Sequence, residues 1–210
     1  MKIKLSEILQ DTKTVAISGH IRPDGDCVGS CMGMYLYLKK ALPDAQIDVY
    51  LEKPADIFDC IHGIEDVRTD CSKDCVYDVF IVLDTSKDAE KYFRTAKKTI
   101  NVDHHISNAS GCGDVNYCKP DASSASELVY ELLEEKYMDA EIAKALYLGI
   151  VHDTGVFQYS NTTPNTLRIA AKLLAYGFDF SKLIDETFFE KTYVQNQVLG
   201  RALLESVRFM

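Results

Sequence analysis

Short apolar runs alternate with longer segments of helical periodicity through the first half of the chain. Four of the runs are rich in β-branched residues and predict buried strands, at 14–18, 47–51, 78–83 and 99–102. Helical spacing of apolar positions follows three of them, at 27–41, from about Pro54, and at 87–97. Because strands and helices alternate in this way, the pattern predicts a Rossmann-like α/β fold, in which a parallel sheet carries helices on both faces.

Beyond Pro120 the strand pattern stops and helical periodicity takes over. It predicts helices at 124–137, 140–152, 164–176, 181–190 and 191–210. Ser123 or Ser124, with Glu127 close behind, is typical of a capping box at the start of the first of these helices. The sequence therefore predicts a sheet-containing part that is followed by a helical segment.

Acidic and histidine side chains follow three of the predicted strands. They fall at 19–26, at Asp84 and at 103–105. In open parallel sheets, ligands bind in the crevice outside the carboxyl ends of the strands. We therefore expect the three clusters to converge on one site.

Length and charge narrow the classes of function. The 210 residues suit one large domain, or one domain and the start of another. The formal net charge of −9 argues against binding to long duplex nucleic acid, which requires Lys and Arg to replace counterions. A short anionic substrate is compatible with this charge, because bound cations reverse the field locally. No apolar run reaches the roughly 18 residues of a membrane helix, so no membrane association is expected.

The seven cysteines are scattered along the chain and no signal peptide precedes them. A reducing cytoplasm is therefore the expected location. Cys27 with Cys31, and Cys71 with Cys75, could suggest metal-binding pairs, but neither has a second pair at the spacing of a zinc site. Small core residues and unreactive loop thiols are the favoured interpretation.

Most of the polar clusters have an ordinary explanation when taken alone. His20, Asp24 and Asp26 lie on a segment that would also suit a polar turn. Asp84 would suit the N-cap of the next helix. The triplet at 103–105 is harder to explain by packing, because three adjacent polar side chains would need partners at once.

Together the clusters indicate metal binding. Asp153 ends a mainly apolar predicted helix, where a carboxylate opposes the helix dipole and requires a compensating positive charge. Four carboxylates in one crevice would repel by about 4 kcal/mol per pair at ~4 Å, with an effective dielectric constant of about 20. Two divalent cations would balance four such charges. Oxygen ligands with a minority of imidazoles favour Mn²⁺, with Mg²⁺ as the alternative.

In chain order these clusters resemble the four motifs of the DHH phosphoesterase family. The matching residues are His20-x3-Asp24-Gly-Asp26-x2-Gly29-Ser30, Asp84, Asp103-His104-His105 and Asp153-Thr154-Gly155. The resemblance covers residues 14–190, and the segment 153–164 is similar to the branch that contains the nano-RNases and the 3′-phosphoadenosine 5′-phosphate phosphatases. It implies a catalytic domain at 1–190 and an interdomain connector helix at 191–210. We expect the family's second domain, a substrate clamp, to be absent from this chain.

The resemblance also implies a role for each matching residue. One metal ion would be held by His20, Asp24 and Asp84. The other would be held by Asp26, Asp84, His104 and Asp153, so that Asp84 bridges the two ions. Such paired ions lower the pKa of a bridging water to about 7 and generate a hydroxide that attacks phosphorus.

Three more residues are given roles in the substrate-binding part of the site. The resemblance places His105 nearest the substrate phosphate, as an electrostatic or proton-transfer partner, and has Asp103 orient ligands through hydrogen bonds. Ser30 lies in the first turn of the helix predicted at 27–41, whose free N–H groups favour anions, which makes it a candidate substrate contact. His152, beside Asp153, is expected in a supporting or surface role rather than as a ligand.

The resemblance implies an enzyme, a Mn²⁺-dependent phosphoesterase acting on short oligoribonucleotides or 3′-phosphoadenosine 5′-phosphate. Hydrolysis of cyclic or linear dinucleotides is the close alternative, and hydrolysis of pyrophosphate is a more remote one. A non-catalytic nucleotide- or metal-binding module is the alternative from another class, but it predicts the loss of a ligand, and all six are present. Apolar positions around Phe188, Phe189 and Leu199 would contact a further domain or a second copy in a homodimer.

Overall fold

The computed structural model describes residues 5–70, 76–85 and 96–206 of the chain. Five parallel strands form a single sheet in this part of the chain. They are β1 (Thr14–Ser18), β2 (Gln46–Tyr50), β3 (Tyr77–Leu83), β4 (Ala96–Asp103) and β5 (Val115–Cys118). Their order across the sheet is β2-β1-β3-β4-β5. The parallel α/β fold expected from the sequence is therefore confirmed.

Four of the five strands coincide with the predicted apolar runs, whereas β5 is not predicted. β5 has only four residues, VNYC, and none of them is buried. As the last strand in the order it pairs only with β4. A half-exposed edge strand of this length lacks the apolar run that identifies a central strand of a parallel sheet.

Seven α-helices lie in the described part of the chain. They are α1 (Leu5–Ile8), α2 (Gly25–Ala41), α3 (Ala125–Leu132), α4 (Ala140–Asp153), α5 (Pro164–Leu174), α6 (Phe180–Ile184) and α7 (Tyr193–Arg201). Only half of the predicted capping box of α3 is present. Ser124 is the N-cap and accepts from the N–H of Glu127, while the Glu127 carboxylate returns to the N–H of Ser123 rather than to the N-cap residue.

Four predicted helices differ from the structure. The segment 124–137 divides into α3 and a 3₁₀ turn at Glu135–Tyr137. The segment 181–190 contains α6 and then a π-helical turn at Asp185–Phe189, and a second π-helical turn, at Ala202–Ser206, follows α7. Of the helix predicted at 87–97, residues 87–95 lie outside the described residues, and 96–97 already belong to β4. The pair Cys71 and Cys75 also lies outside the described residues.

The central helix α2 is buried on nearly every side, because it lies between the sheet and α4. Gly25, Gly29 and Gly33 are spaced one helical turn apart on its face towards α4. A Cβ atom at Gly29 would lie 2.5 Å from the carbonyl oxygen of Ala145, a separation that requires one of the two helices to move. Only glycine permits this approach. It brings the start of α2 next to the end of α4.

The last helix of the described chain has a different environment. α7 contains no buried residue, and Phe189 and Leu199 are about half exposed. The contact predicted around these residues, with another domain or a second copy, stays a prediction. No helix of residues 5–70, 76–85 and 96–206 is both long enough and apolar enough to cross a membrane.

Candidate metal centre

Three strand ends meet at one edge of the sheet. His20 comes shortly after β1, Asp84 directly after β3, and His104 directly after β4. The strand order reverses between β1 and β3, which is the position where doubly wound sheets bind ligands. The three polar clusters therefore converge as expected. A cavity of about 340 Å³ at this edge is lined by His20, Asp24, Asp84, Thr85, His105, Ser107 and Asp153.

Asp84 lies at the centre of the cluster and its side chain is 3% exposed. Its φ of 54° is in the left-handed region, which Asp adopts more readily than most residues other than glycine. Its Oδ2 lies 3.4 Å from Nε2 of His20, and its Oδ1 lies 3.5 Å from Nε2 of His104. The two oxygens of one carboxylate thus face two different histidines.

The ends of two helices contribute the other carboxylates. Asp26 lies in the first turn of α2 and Asp153 ends α4, and their Oδ2 atoms lie 3.9 Å and 3.5 Å from Nε2 of His104. Asp24 is the N-cap of α2, with its Oδ1 at 3.5 Å from Nε2 of His20. The structure therefore brings all six sequence-predicted ligands together around two histidines.

Asp103 and His105 form a hydrogen-bonded pair at the edge of this cluster, with His105 Nδ1 also 3.6 Å from Asp84 Oδ1. Asp103 is fully buried, and its Oδ1 lies 2.8 Å from Nδ1 of the half-exposed His105. Burial alone would raise the pKa of Asp103, but hydrogen bonds from His105 and Asn108 outweigh it and lower the pKa. The ionised carboxylate fixes the His105 ring at the wall of the cavity.

Close carboxylates keep the two central histidines protonated in the absence of metal. Burial alone would lower the pKa of His104, but Asp84, Asp26 and Asp153 outweigh it and raise the pKa to about 9. Burial also opposes protonation of His20, and hydrogen bonds with neighbouring carboxylates again outweigh it, so that its pKa lies far above the usual value. In the metal-free cluster, protons thus supply the positive charge that the carboxylates require.

The carboxylates respond to the same crowding. Burial, followed by repulsion from Asp84 and Asp153, raises the pKa of Asp26 well above its usual range. Burial is also the main cause that raises the pKa of Asp153 to about 6. Asp24 differs, because its partner His20 outweighs the effect of burial and lowers the pKa to about 2.

The free lone pairs of the cluster fit a divalent cation. Asp84 Oδ1 and Asp153 Oδ2 are buried and accept no hydrogen bond from the part of the chain that the structure describes. A buried carboxylate oxygen without a partner is costly, and both oxygens lie beside His104. Carboxylate oxygens with a minority of imidazoles are the donor set that suits Mn²⁺ or Mg²⁺.

Several residues of the site were not identified from the sequence. Thr85 and Ser107 line the cavity, and Asn108 donates from Nδ2 to Asp103 Oδ2 at 2.7 Å. Their positions, one residue after Asp84 and two or three residues after His105, were the available signal. Cys27, interpreted as a core residue, is buried, but its Sγ lies within 4.8 Å of ligand atoms of His20 and Asp84.

Ser30 does not reach the cavity. It is fully buried in the second turn of α2, and its hydroxyl donates to the carbonyl oxygen of Cys27 within the same helix. The free N–H groups of a helix lie in its first turn, and α2 begins at Gly25, five residues before Ser30. The prediction that Ser30 contacts the substrate is therefore wrong. The helix starts earlier than the sequence predicts, so Ser30 lies beyond its first turn.

His152 packs against the start of α2, next to the candidate ligands Asp24 and Asp26. Its Nε2 lies 3.1 Å from Oγ1 of Thr187, and its ring packs edge-on against Phe58 and Phe188. A Cβ atom at Gly25 would lie 2.2 Å from this ring. His152 thus packs beneath the turn that carries Asp24 and Asp26, in agreement with the supporting role expected from the sequence.

In the presence of chelator, the free energy of unfolding is expected to fall as the pH rises from about 4 to about 6. The folded pKa of Asp153 is about 6 and its ordinary value is 3.8, so the folded state holds the proton more tightly. The resulting stabilisation is present below the ordinary value and is lost as the pH rises through the folded pKa. The loss should be on the order of 2 kcal/mol.

Urea unfolding in EDTA at both ends of this pH window measures the effect. The variant Asp153→Asn should lack this part of the pH dependence, because its side chain does not titrate. Equal pH dependence in the two proteins would contradict the raised pKa of Asp153.

Comparison with known proteins agrees with this geometry. Residues 14–150 match the model of the DHH family, N-terminal domain. Over 199 residues the chain is 29% identical to the bifunctional oligoribonuclease and PAP phosphatase NrnA of Bacillus subtilis, covering 92% of this chain and 63% of that protein. It is 30% identical over 232 residues to the cyclic-di-AMP phosphodiesterase GdpP of Geobacillus thermodenitrificans, covering 96% of this chain and 33% of that protein. The chain therefore spans less than two thirds of either relative.

A solved structure has the same fold. The crystal structure of an exopolyphosphatase-related protein from Bacteroides fragilis superimposes with a TM-score of 0.83, at 22% sequence identity, over 97% of this chain and 64% of that one. At this identity the similarity concerns the fold alone. The family match spans more than half of the 210 residues and includes three of the four strand-end and helix-end clusters in full. This chain belongs to the DHH family.

Proposed function

We propose that this chain is the catalytic domain of a phosphoesterase that uses two divalent metal ions, Mn²⁺ foremost, to hydrolyse short oligoribonucleotides and 3′-phosphoadenosine 5′-phosphate. The observation that carries the proposal is the position of Asp84, whose two oxygens face His20 and His104 separately. A carboxylate in this position is suited to bridge two cations. The Bacillus subtilis relative is an oligoribonuclease and PAP phosphatase, which supports this choice of substrates.

We retain the two ligand sets that the sequence predicts. One position would be formed by His20, Asp24 and Asp84, and the other by Asp26, Asp84, His104 and Asp153. Divalent ions held there would offset the charge of a phosphate group and lower the pKa of a coordinated water. Because ligating histidines must be neutral, binding should release the protons that His20 and His104 hold in the metal-free protein.

His105 is the side chain best placed to act on the substrate. It lines the cavity, is half exposed, and has its Nδ1 occupied by Asp103. The hydrogen bond with Asp103 raises the pKa of His105, so the ring holds a proton more readily than a free imidazole. The protonated ring can bind a phosphate oxygen or give its proton to the leaving oxygen. Asp103 would act by holding the ring in this orientation.

Cyclic dinucleotides are a second candidate substrate class. The similarity to a cyclic-di-AMP phosphodiesterase extends over 96% of this chain, which makes that activity the second candidate. Both relatives are longer than this chain, and residues beyond the matched parts can select the substrate. The cavity has a volume of about 340 Å³, which suits a phosphate group and the atoms next to it. We propose that this is the part of the substrate that the chain contacts.

A substrate panel tests the proposed function. In Mn²⁺ the protein should release mononucleotides from a short oligoribonucleotide and phosphate from 3′-phosphoadenosine 5′-phosphate, and EDTA should reduce both rates by at least ~100-fold. Turnover of cyclic-di-AMP alone would favour the second candidate. Binding of Mn²⁺ without any turnover would favour a non-catalytic binding module and contradict the proposal.

Three further predictions belong to this proposal. We propose that residues 1–190 form the catalytic unit and that 191–210 connect it to other structure. The free thiols of the described part of the chain favour a reducing cytoplasm as the setting. The exposed apolar face of α7 favours assembly into a homodimer or contact with another domain.

A further inference from the structure

The carboxylate of Asp26 is held by the first turn of α3. The backbone N–H of Ala125 donates to its Oδ2 at 2.6 Å, and that of Ser126 donates to its Oδ1 at 2.9 Å. Both oxygens are thereby fixed, and Asp26 is 1% exposed. The free N–H groups at the start of a helix stabilise a negative charge in this way. The position of Asp26 thus depends on where α3 begins.

Glu127 holds the start of α3 in place. It is 2% exposed, and its Oε2 accepts from both the N–H and the hydroxyl of Ser123, at 3.2 and 2.5 Å, and from the hydroxyl of Thr166 at 2.8 Å. Its Oε1 accepts from Nδ2 of Asn165 at 2.7 Å. None of the ion pairs found among the described residues includes Glu127. Within the described part of the chain, four hydrogen bonds compensate its buried carboxylate.

Helix capping does not account for this arrangement. The hydroxyl of Ser124 already caps α3 by accepting from the N–H of Glu127 at 3.0 Å. In an ordinary capping box, the glutamate would return to the N–H of the N-cap residue. Glu127 instead binds the preceding residue, Ser123, and two side chains at the start of α5. It therefore ties the first turns of two helices together.

Asn161 connects the same segment to the other helix of the metal centre. Its Nδ2 donates to the carbonyl oxygens of Ser123 and Asp153, both at 3.0 Å. The N–H, the hydroxyl and the carbonyl oxygen of Ser123 are thus all bound, the first two by Glu127 and the third by Asn161. Ser123 therefore connects the hydrogen bonds that hold the start of α3, and with it Asp26, to the hydrogen bond on Asp153.

We propose that Glu127 is a positioning residue for one metal position, that of Asp26, His104 and Asp153. It acts on Asp26 through Ser123 and the first turn of α3, and on Asp153 through Ser123 and Asn161. The inference rests on the proposed function. The hydrogen bonds and ion pairs given above for His20 and Asp24 do not include Glu127, Ser123 or Asn161, so the position formed by His20 and Asp24 should be insensitive to Glu127.

The variant Glu127→Gln changes the polarity of this network without changing its size. Both oxygens of Glu127 accept hydrogen bonds from donor groups. In Gln an N–H₂ group replaces one of these oxygens and cannot accept, so at least one hydrogen bond is lost. Loss of hydrogen-bond partners behind metal ligands typically weakens metal affinity ~10–100-fold. We expect Mn²⁺ affinity to fall by about 10-fold at the Asp26 position and by less than about 2-fold at the other.

Calorimetric titration of Mn²⁺ in two backgrounds separates the positions. In the Asp24→Asn background the remaining tight site contains Asp26, and adding Glu127→Gln should weaken it. In the Asp153→Asn background the remaining site contains Asp24, and adding Glu127→Gln should leave its Mn²⁺ affinity unchanged. Glu141→Gln is the control, because Glu141 also lies in the first turn of a helix, α4, but is exposed. Urea unfolding in EDTA reports separately whether each variant folds.

The outcomes are distinct. Failure of the unsubstituted chain to bind Mn²⁺ would overturn the proposed function and this inference with it. Normal binding by the unsubstituted chain, with equal weakening of both positions or of neither in Glu127→Gln, would overturn the inference alone. The variant Asn161→Ala should reproduce the selective loss, because it cuts the link from Ser123 to Asp153, and it tests the same inference if Glu127→Gln does not fold.

Discussion

Hydrolysis by the variant Asp84→Asn is expected to be slower than that of the unsubstituted chain by about 10³-fold. Asp84 is the carboxylate that faces both histidines, so its charge is needed at both proposed metal positions. Asn keeps the shape of the side chain and tolerates the left-handed backbone that Asp84 adopts, with a φ of 54°. The change therefore removes one charge and leaves the geometry. Release of nucleotide in Mn²⁺ and calorimetric titration of Mn²⁺ measure the effect.

Asp11→Asn is the matched control for this variant. Asp11 also has a positive φ, of 62°, but it is exposed and lies outside the cavity. Its replacement should leave turnover unchanged, and Asp11→Asn should unfold in EDTA within about 1 kcal/mol of the unsubstituted chain. Full turnover in Asp84→Asn would contradict the proposed two-metal site.

The variant Gly29→Ala is expected to lose about 3 kcal/mol of unfolding free energy. A Cβ atom at this position would lie 2.5 Å from the carbonyl oxygen of Ala145 and 2.7 Å from the backbone nitrogen of Gly149. Both neighbours are backbone atoms of α4, so a side-chain rotation cannot relieve the overlap, and α2 must move away from α4. Urea unfolding in EDTA measures the loss.

Gly200→Ala is the control, because Gly200 is also helical, in α7, and a Cβ atom there would meet nothing within 4 Å. It should be neutral or stabilising by up to about 1 kcal/mol. The movement of α2 in Gly29→Ala should also separate Asp26 from Asp153, so Mn²⁺ affinity should fall together with stability. Equal stability of the two glycine variants would show that the helices can separate at little cost.

Much of the fold could be predicted because the central strands are buried on both faces. The residues 79–83 are apolar throughout and buried, and the predicted strand 78–83 therefore lies within one residue of the observed limits of β3, Tyr77–Leu83. β5 could not be predicted in this way, because an edge strand with half-exposed residues carries no such constraint. The division of the segment 124–137 at Leu133 was equally hidden, since the 3₁₀ turn that follows continues the helical spacing of apolar residues.

The residue types of the candidate site were also predictable. The helix boundaries and hydrogen bonds that hold these residues in place were not. Histidines and aspartates directly after strands are visible as a pattern, and a parallel sheet brings strand ends together. Ser30 is an example, because its expected role depended on where α2 begins. The sequence predicts this start at residue 27, two residues later than Gly25, where the helix begins. Glu127 shows it again, since a glutamate that follows a serine indicates a cap and gives no sign that its carboxylate binds two residues of α5.

The amino-acid pattern was enough to predict the family, four of the five strands and the six candidate ligands. Only the folded arrangement shows that the oxygens of Asp84 face different histidines and that two buried carboxylate oxygens accept no hydrogen bond within the described part of the chain. It also raises the pKa of His104 to about 9. Coulomb and hydrogen-bond energies depend on distances between side chains and on burial, and neither can be read from the order of residues along the chain. Residues as far apart in sequence as His20 and Asp153 acquire those distances only when the sheet and the helices α2 and α4 pack together.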